Sequence, residues 1–71
     1  MVRIRVSSST ISSIGYDHNS KTLEVEFKNG SIYEYYNVPL NIYEGLMSAS
    51  SIGKYFNDRI KEGGYRFRHI R

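Results

Sequence analysis

The segment of residues 22–36 constrains this chain most, because it has the pattern of a single β-hairpin. Apolar and polar side chains alternate in residues 22–28, which is typical of a strand that is buried on one face only. The pair Asn29-Gly30 then marks a turn, and residues 31–36 contain three tyrosines. The register of this hairpin decides whether the tyrosines lie in the core or on a surface that could bind a ligand.

Two registers compete across the turn. A two-residue loop would place Glu34 opposite Val25, and burying a carboxylate on the apolar face costs several kcal/mol. A three-residue loop with Gly30 in the left-handed conformation places Tyr33 opposite Val25 instead. Its cost is a Glu24–Glu34 like-charge pair on the outer face, about 0.2–1 kcal/mol. We therefore predict the three-residue loop, with inward-facing tyrosines whose hydroxyls reach the rim, and an acidic, solvated outer face.

The rest of the chain predicts one strand before the hairpin and two helices after it. Residues 11–16 have the spacing of a strand. Pro39 is suited to the first turn of a helix, and residues 42–47 carry apolar side chains at helical spacing. Ser50 or Ser51 is a natural N-cap of a second helix. The predicted class is α+β: a three-stranded antiparallel meander followed by two helices packed on one face.

Alternating patterns also occur near both ends of the chain. Residues 3–6 could add a short strand, and residues 65–68 could form a last short strand or an ordered tail. We predict a single domain over residues 1–71, with a core of about 6–65 and a basic tail over 66–71. The predicted core side chains are Ile14, Leu23, Val25, Phe27, Tyr33, Tyr35, Leu46, Phe56 and Ile60.

The net charge of +3 is distributed unevenly. Residues 1–16 hold two arginines, residues 17–47 hold five acidic and two basic side chains, and residues 48–71 hold six basic and two acidic ones. The absence of cysteine excludes disulfides and thiolate zinc sites. No apolar stretch approaches the roughly 20 residues of a membrane span, and residues 1–6 do not resemble a signal peptide. We expect a cytoplasmic protein that does not use a membrane.

No arrangement of residues points to catalysis. His18 and His69 lack metal-ligand spacing, and Asp17 beside His18 is a coincidence of two neighbours. None of the serines lies in a nucleophile elbow, and no glycine-rich phosphate loop is present. We therefore expect no catalytic residue, no metal and no cofactor.

A series of short motifs extends over about residues 6–65. The motifs comprise Ser8, Ser9, Ile11, Ile14, Gly15, Tyr16, Asp17, Leu23, Val25, Phe27, Gly30, Tyr33, Glu34, Tyr35, Val38, Pro39, Tyr43, Leu46, Ala49, Ser51, Gly53, Tyr55, Phe56, Asn57 and Ile60. In this order the chain resembles the KTSC domain, which is found alone in bacterial and phage-related proteins and at the C-terminus of some lysyl-tRNA synthetases. Tyr33 and Tyr35 match the central Tyr-x-Tyr motif of that family, with Gly30 before it and Pro39 after it. The resemblance implies a small domain, and the synthetase context implies RNA binding.

Candidate binding residues lie in the basic C-terminal third. The candidates for nucleic-acid or anion binding are Ser51, Gly53, Lys54, Arg59, Arg66, Arg68 and Arg71. A helix N-terminus at residues 51–54 can hold an anion, and basic residues interleaved with an aromatic in residues 66–71 are typical of nucleic-acid contact. The alternatives are an ordinary N-cap with a closely packed glycine, and a solvated, partly frayed tail.

Two classes of function remain open. The first is a non-catalytic module that binds nucleic acid, RNA before DNA, through the basic end segments and the helix N-terminus. The second is a module that binds a protein or a second copy of itself, and a small enzyme is only a residual hypothesis. A base-stacking platform made of Tyr33 and Tyr35 competes with their packing in the core, which the hairpin register favours.

Overall fold

The computed structural model describes all residues, 1–71, and contains a sheet and two helices. The strands are β1 (Ile4–Arg5), β2 (Ile11–Asp17), β3 (Thr22–Phe27), β4 (Ile32–Tyr35) and β5 (Phe67–His69), and the helices are α1 (Leu40–Met47) and α2 (Ile52–Phe56). A π-helical turn, Asn57–Lys61, continues α2. The α+β class is confirmed. The prediction of three strands is wrong, because the alternating segments near both ends also join the sheet.

The five strands form an antiparallel meander in the order β1-β2-β3-β4-β5. The first and last strands therefore lie at opposite edges of the sheet. At the β5 edge, His69 pairs with Tyr33 and Phe67 pairs with Tyr35. Residues 67–69 of the predicted basic tail are thus an edge strand, which aligns their side chains with those of β4.

The hairpin between β3 and β4 has the predicted register. Val25 lies opposite Tyr33, and Glu24 lies opposite Glu34. The amide of Phe27 donates to the carbonyl of Ser31 at 2.8 Å, which closes the loop. Gly30 has φ +94°, a left-handed conformation that glycine adopts without strain. The comparison of burial costs across the two faces therefore predicted the pairing correctly.

The core lies between the inner face of the sheet and the two helices. Its buried side chains are Ile11, Ile14, Leu23, Val25, Tyr35, Val38, Leu46, Phe56 and Ile60. Phe27 and Tyr33, which we predicted as core residues, are only half-buried and pack against its margin. Ile11 joins the core because a β-bulge between Ile11 and Ser13 turns it inward.

Pro39 and Ser51 are the N-caps of the two helices. The helices touch where Gly45 of α1 meets the hydroxyl end of Tyr55, so there is no room for a larger side chain at position 45. In the π-helical turn the amide of Glu62 donates to the carbonyl of Asn57 at 3.1 Å, five residues earlier. Neither helix has the length and apolar character needed to cross a membrane.

The outer face of the sheet is not the solvated acidic surface that we predicted. Glu24 is only 8% exposed, and its carboxylate lies 2.5 Å from the Arg3 guanidinium. Arg3 also donates to the Ser13 hydroxyl at 3.0 Å and lies 3.9 Å from Glu26. Arg71 reaches the same Glu26 carboxylate from the other end of the chain, at 3.7 Å. Arginines from both ends of the chain thus neutralise the glutamates of β3.

Candidate nucleic-acid interface

The structure brings Ser51, Gly53 and Lys54 together at the start of α2, but each has a structural contact. The Ser51 hydroxyl accepts the Lys54 amide at 3.4 Å as an N-cap. A Cβ at Gly53 would lie 2.9 Å from the Thr10 hydroxyl, so this glycine lets the helix approach the preceding loop. The Lys54 ammonium group lies 3.3 Å from Asp58. These contacts account for the three residues without an anion.

The four predicted arginines do not form a single patch. Arg59 lies over the ring of Tyr55, 5.7 Å from its centroid, and Arg71 pairs with Glu26. Arg66 and Arg68 flank Phe67 on the edge of the sheet, are exposed, and form no ion pair. Arg68 in β5 and Arg66 immediately before it are therefore the two predicted arginines that form neither an ion pair nor a contact with a ring face.

A groove of about 590 Å³ opens on the inner face of the sheet, between α2 with its π-helical turn and β5. We call it the aromatic groove. Its apolar lining consists of aromatic side chains only: Phe27, Tyr33, Tyr35, Phe56, Tyr65 and Phe67. Lys61 and Glu62 are its charged lining residues, and Thr10 and Asn57 add a hydroxyl and an amide.

The rings at the bottom of the groove are fixed by contacts with one another. Phe56, which is 3% exposed, meets Phe27 and Tyr35 edge-on at centroid distances of 5.4 and 5.5 Å. Phe27 in turn meets Tyr33 edge-on at 5.8 Å. Such edge-to-face contacts favour one arrangement of the rings, so the groove is already formed in the protein alone.

The rings contributed by β5 face solvent. Phe67 is 60% exposed, and its centroid lies 5.9 Å from that of Tyr33 and 5.7 Å from that of Tyr35. His69 stacks on Tyr33 at 4.5 Å with an interplanar angle of 5°. The open side of the groove is thus a row of flat aromatic faces across β4 and β5.

The tyrosine hydroxyls of the groove are free to hydrogen-bond to a ligand. Neither Tyr33 nor Tyr35 donates to another protein group. Every buried side-chain polar atom of the protein has a hydrogen-bond partner, so these two unpartnered hydroxyls must reach solvent. Burial raises the pKa of Tyr35, and the neighbouring Tyr33 raises it further. The Tyr35 hydroxyl therefore remains protonated, and able to donate, at neutral pH.

A second aromatic group, the closed cluster of Tyr16, His18 and Tyr43, lies on another part of the molecule. Tyr16 and Tyr43 stack at 4.6 Å, and the Tyr16 hydroxyl donates to the Val38 carbonyl at 2.5 Å. Burial raises the pKa of Tyr16, and the nearby Asp17 carboxylate adds to the effect. Tyr16 and Tyr43 thus cover each other's faces, and the Tyr16 hydroxyl is already paired inside the protein, although His18 at the edge of the cluster is exposed.

Sequence reasoning selected the residues that line the groove only in part. It placed Phe27, Tyr33, Tyr35 and Phe56 in the core, with a base-stacking platform of Tyr33 and Tyr35 as the alternative, and predicted residues 65–68 as a last short strand or an ordered tail. The alternation of residues 65–68, which puts both aromatics on one face, was the available signal. Nothing in the sequence pointed to Lys61, which lies at the end of the π-helical turn and lines the groove. No group of three or more acidic, histidine or cysteine side chains is arranged to hold a metal ion.

Comparison with known proteins identifies the family. The model of the KTSC domain matches residues 7–65, most of the chain. The chain belongs to the KTSC domain family. A KTSC domain protein from Yersinia pestis has the same fold, with a TM-score of 0.87 and 41% identity over 99% of this chain and 97% of that one. Strand β5 lies beyond the residues that the family model matches.

Relatives of this KTSC domain occur both alone and within larger proteins. An uncharacterized protein of Stutzerimonas stutzeri is 40% identical over 70 residues, which cover 99% of both chains. A lysine–tRNA ligase of Nostoc punctiforme is 37% identical over 67 residues, or 94% of this chain. The KTSC domain spans only 12% of the length of that ligase.

Proposed function

We propose that this KTSC domain is a non-catalytic module that binds RNA. The observation that carries the proposal is the pair of exposed arginines at the β5 edge, Arg68 within the strand and Arg66 immediately before it. Arg66 and Arg68 flank an exposed aromatic ring and form no ion pair. Glu34 lies opposite Arg68 in the sheet register, but its carboxylate instead accepts the Tyr36 hydroxyl at 3.1 Å. Guanidinium groups that lack a protein partner are suited to phosphate oxygens.

Two further findings support an RNA ligand. Several relatives that contain this domain are lysine–tRNA ligases, and the sequence predicts a cytoplasmic location, where such a ligand is available. The sheet also separates the basic segments, because β1 with Arg5 and β5 with Arg68 lie at opposite edges. We therefore propose that the β5 edge makes the phosphate contacts and that the N-terminal arginines do not.

A titration with single-stranded RNA at several salt concentrations tests the proposal. The observed association constant should fall with salt, by about 0.7 log units per log unit of salt for each phosphate contact. Arg68→Gln should weaken binding and reduce that slope by about 0.7. The matched control is Arg5→Gln, which removes the same charge from the opposite edge and should leave the slope unchanged. No binding at low salt, or equal effects of the two variants, would contradict the proposal.

A second candidate function is self-association through β5. This edge strand exposes unpaired backbone groups, and Phe67 and Ile70 beside them are 60% and 45% exposed. Such an edge can pair with the same strand of a second copy. Sedimentation over a hundredfold range of concentration separates the candidates, because a dimer would form without RNA.

A further inference from the structure

We infer that the aromatic groove is a binding site for one unstacked base of a single-stranded RNA, which stacks on the exposed face of Phe67. The inference rests on the proposed function and adds to it the ligand group, the site and the residue that makes the main contact. It also separates two roles at the β5 edge, since Arg68 on the outer face would hold phosphate while Phe67 on the inner face holds a base.

The groove has the size and rigidity of a site for a small planar group. Its volume of about 590 Å³ lies within the roughly 300–1,000 Å³ of typical small-ligand sites. Phe56 and Phe27 fix its inner rings through edge-on contacts, while Phe67 projects into solvent. An exposed phenylalanine beside a preformed aromatic wall is a surface on which a ring can stack.

The polar groups of the groove correspond to those of a base. The Tyr33 and Tyr35 hydroxyls have no intramolecular partner, and Thr10 and Asn57 also line the groove. These groups can donate to or accept from the edges of a base while the rings cover its face. A purely aliphatic ligand would leave them unpaired, so the chemistry favours a planar group with polar edges.

The charges around the groove favour a base that is linked to phosphate. Lys61 lines the groove and forms no ion pair. Arg68 is next to Phe67 in sequence, but it lies opposite Glu34 and therefore faces the other side of β5. Glu62 is the single carboxylate of the lining. An incoming strand can therefore place a base in the groove with a phosphate at Lys61, and its backbone must pass over the exposed β5 edge to reach Arg68.

A base that enters the groove must leave its helical stack. In duplex RNA the bases are stacked and paired, so their flat faces are not available to side chains. The inference therefore predicts that single-stranded RNA binds more tightly than a duplex with the same number of phosphates, whereas purely electrostatic binding would favour the denser charge of the duplex.

Replacement of Phe67 tests the site without threatening the fold, since this side chain is 60% exposed. Loss of one stacked base should weaken binding of single-stranded RNA by Phe67→Ala about 5- to 150-fold. The salt dependence should remain unchanged, because no phosphate contact is removed. Ile70→Ala is the matched control, since Ile70 is an exposed apolar residue of the same segment that does not line the groove.

A tryptophan reporter gives an independent reading, because the chain contains no tryptophan. Phe67→Trp should retain RNA binding, and its fluorescence should be quenched as the base stacks on the indole. Ile70→Trp provides the control and should show no comparable quenching. Thermal unfolding of all four variants checks that each is folded.

The outcomes separate this inference from the proposed function. If wild-type protein binds RNA and Phe67→Ala binds it equally well, the groove is not the base site, although RNA binding stands. If wild-type protein binds no RNA, both are overturned. If Phe67→Ala instead converts a dimer to a monomer in sedimentation, the groove edge is an interface between copies and the inference is wrong.

Discussion

The closed cluster and the aromatic groove use the same residue types with opposite results. In the closed cluster Tyr16 stacks on Tyr43 of α1 and donates its hydroxyl to the Val38 carbonyl. In the groove the Tyr33 ring meets Phe67 on an edge strand, and its hydroxyl has no protein partner. The comparison shows that a tyrosine-rich sheet does not in itself indicate a binding surface. A tyrosine serves the fold where a helix covers its ring and its hydroxyl has a partner within the protein.

The position of the helices explains the difference. Helix α1 places Tyr43 directly on Tyr16, whereas α2 and its π-helical turn contribute Phe56 and Ile60 to the core and line the groove with the polar residues Asn57 and Lys61. The inner face of the sheet is therefore sealed where α1 lies and open towards β5.

The largest expected effect is the difference in stability between a substitution at the floor of the groove, Phe56, and one at its rim, Phe67. Phe56→Ala should lower the free energy of unfolding by about 3–5 kcal/mol, because a buried ring is lost and a cavity remains. That loss is comparable with the whole stability of a domain of this size. Phe67→Ala removes the same side chain from an exposed site and should cost less than about 1 kcal/mol. Urea unfolding followed by circular dichroism measures both, and equal losses would show that Phe67 belongs to the core.

A smaller effect tests the hydroxyls of the two regions. Tyr16→Phe should destabilise the protein by about 1 kcal/mol, because the Val38 carbonyl loses its donor. Tyr33→Phe is the matched change in the groove and should leave the stability unchanged, since that hydroxyl has no intramolecular partner. Paired urea titrations at neutral pH provide the measurement. If Tyr33→Phe destabilised the protein as much as Tyr16→Phe, the Tyr33 hydroxyl would have an internal partner and the two regions would not differ in this respect.

The smallest effect concerns alkaline pH. The pKa of Tyr16 in the closed cluster and that of Tyr35 in the groove are both raised above the ordinary 10.0, chiefly by burial. The unfolded chain therefore loses these protons first as the pH rises. Stability should be complete below about pH 10 and should fall as the pH rises from there through the two folded pKa values. Tyr16→Phe and Tyr35→Phe should each flatten that fall when unfolding is measured between about pH 9 and 11. A fall that neither variant changes would rule out both hydroxyls as its source.

The hairpin was predictable because its alternatives differ greatly in energy. One register buries Glu34, and the other costs only a like-charge pair on the opposite face. Both energies depend only on residues within the hairpin, so its pairing could be predicted without knowledge of the remaining fold. The positions of Pro39 and Ser51 at the helix starts follow in the same way from capping preferences that act within one turn.

The edge strands and the outer face could not be derived in the same way. β1 has two residues and β5 has three, too few for a period of two to distinguish a strand from a tail. The Arg3–Glu24 ion pair joins residues 21 positions apart and depends on the order of the strands. Similarly, the alternation correctly turned Tyr33 inward, but only the placement of α2 decides whether a helix covers it.

The π-helical turn has a consequence for how the groove could change in evolution. Its backbone bonds span five residues, as the Glu62-to-Asn57 bond shows, so this turn holds more residues than an α-helical turn would. Deleting one residue within Asn57–Lys61 would remove the extra residue and let the turn form ordinary α-helical bonds, so the residues after it would keep nearly the same direction around the helix axis. The side chains within the turn, Lys61 among them, would be spaced differently along the groove. Among relatives, a one-residue gap in this turn would therefore change the polar lining of the groove while its aromatic walls stayed the same.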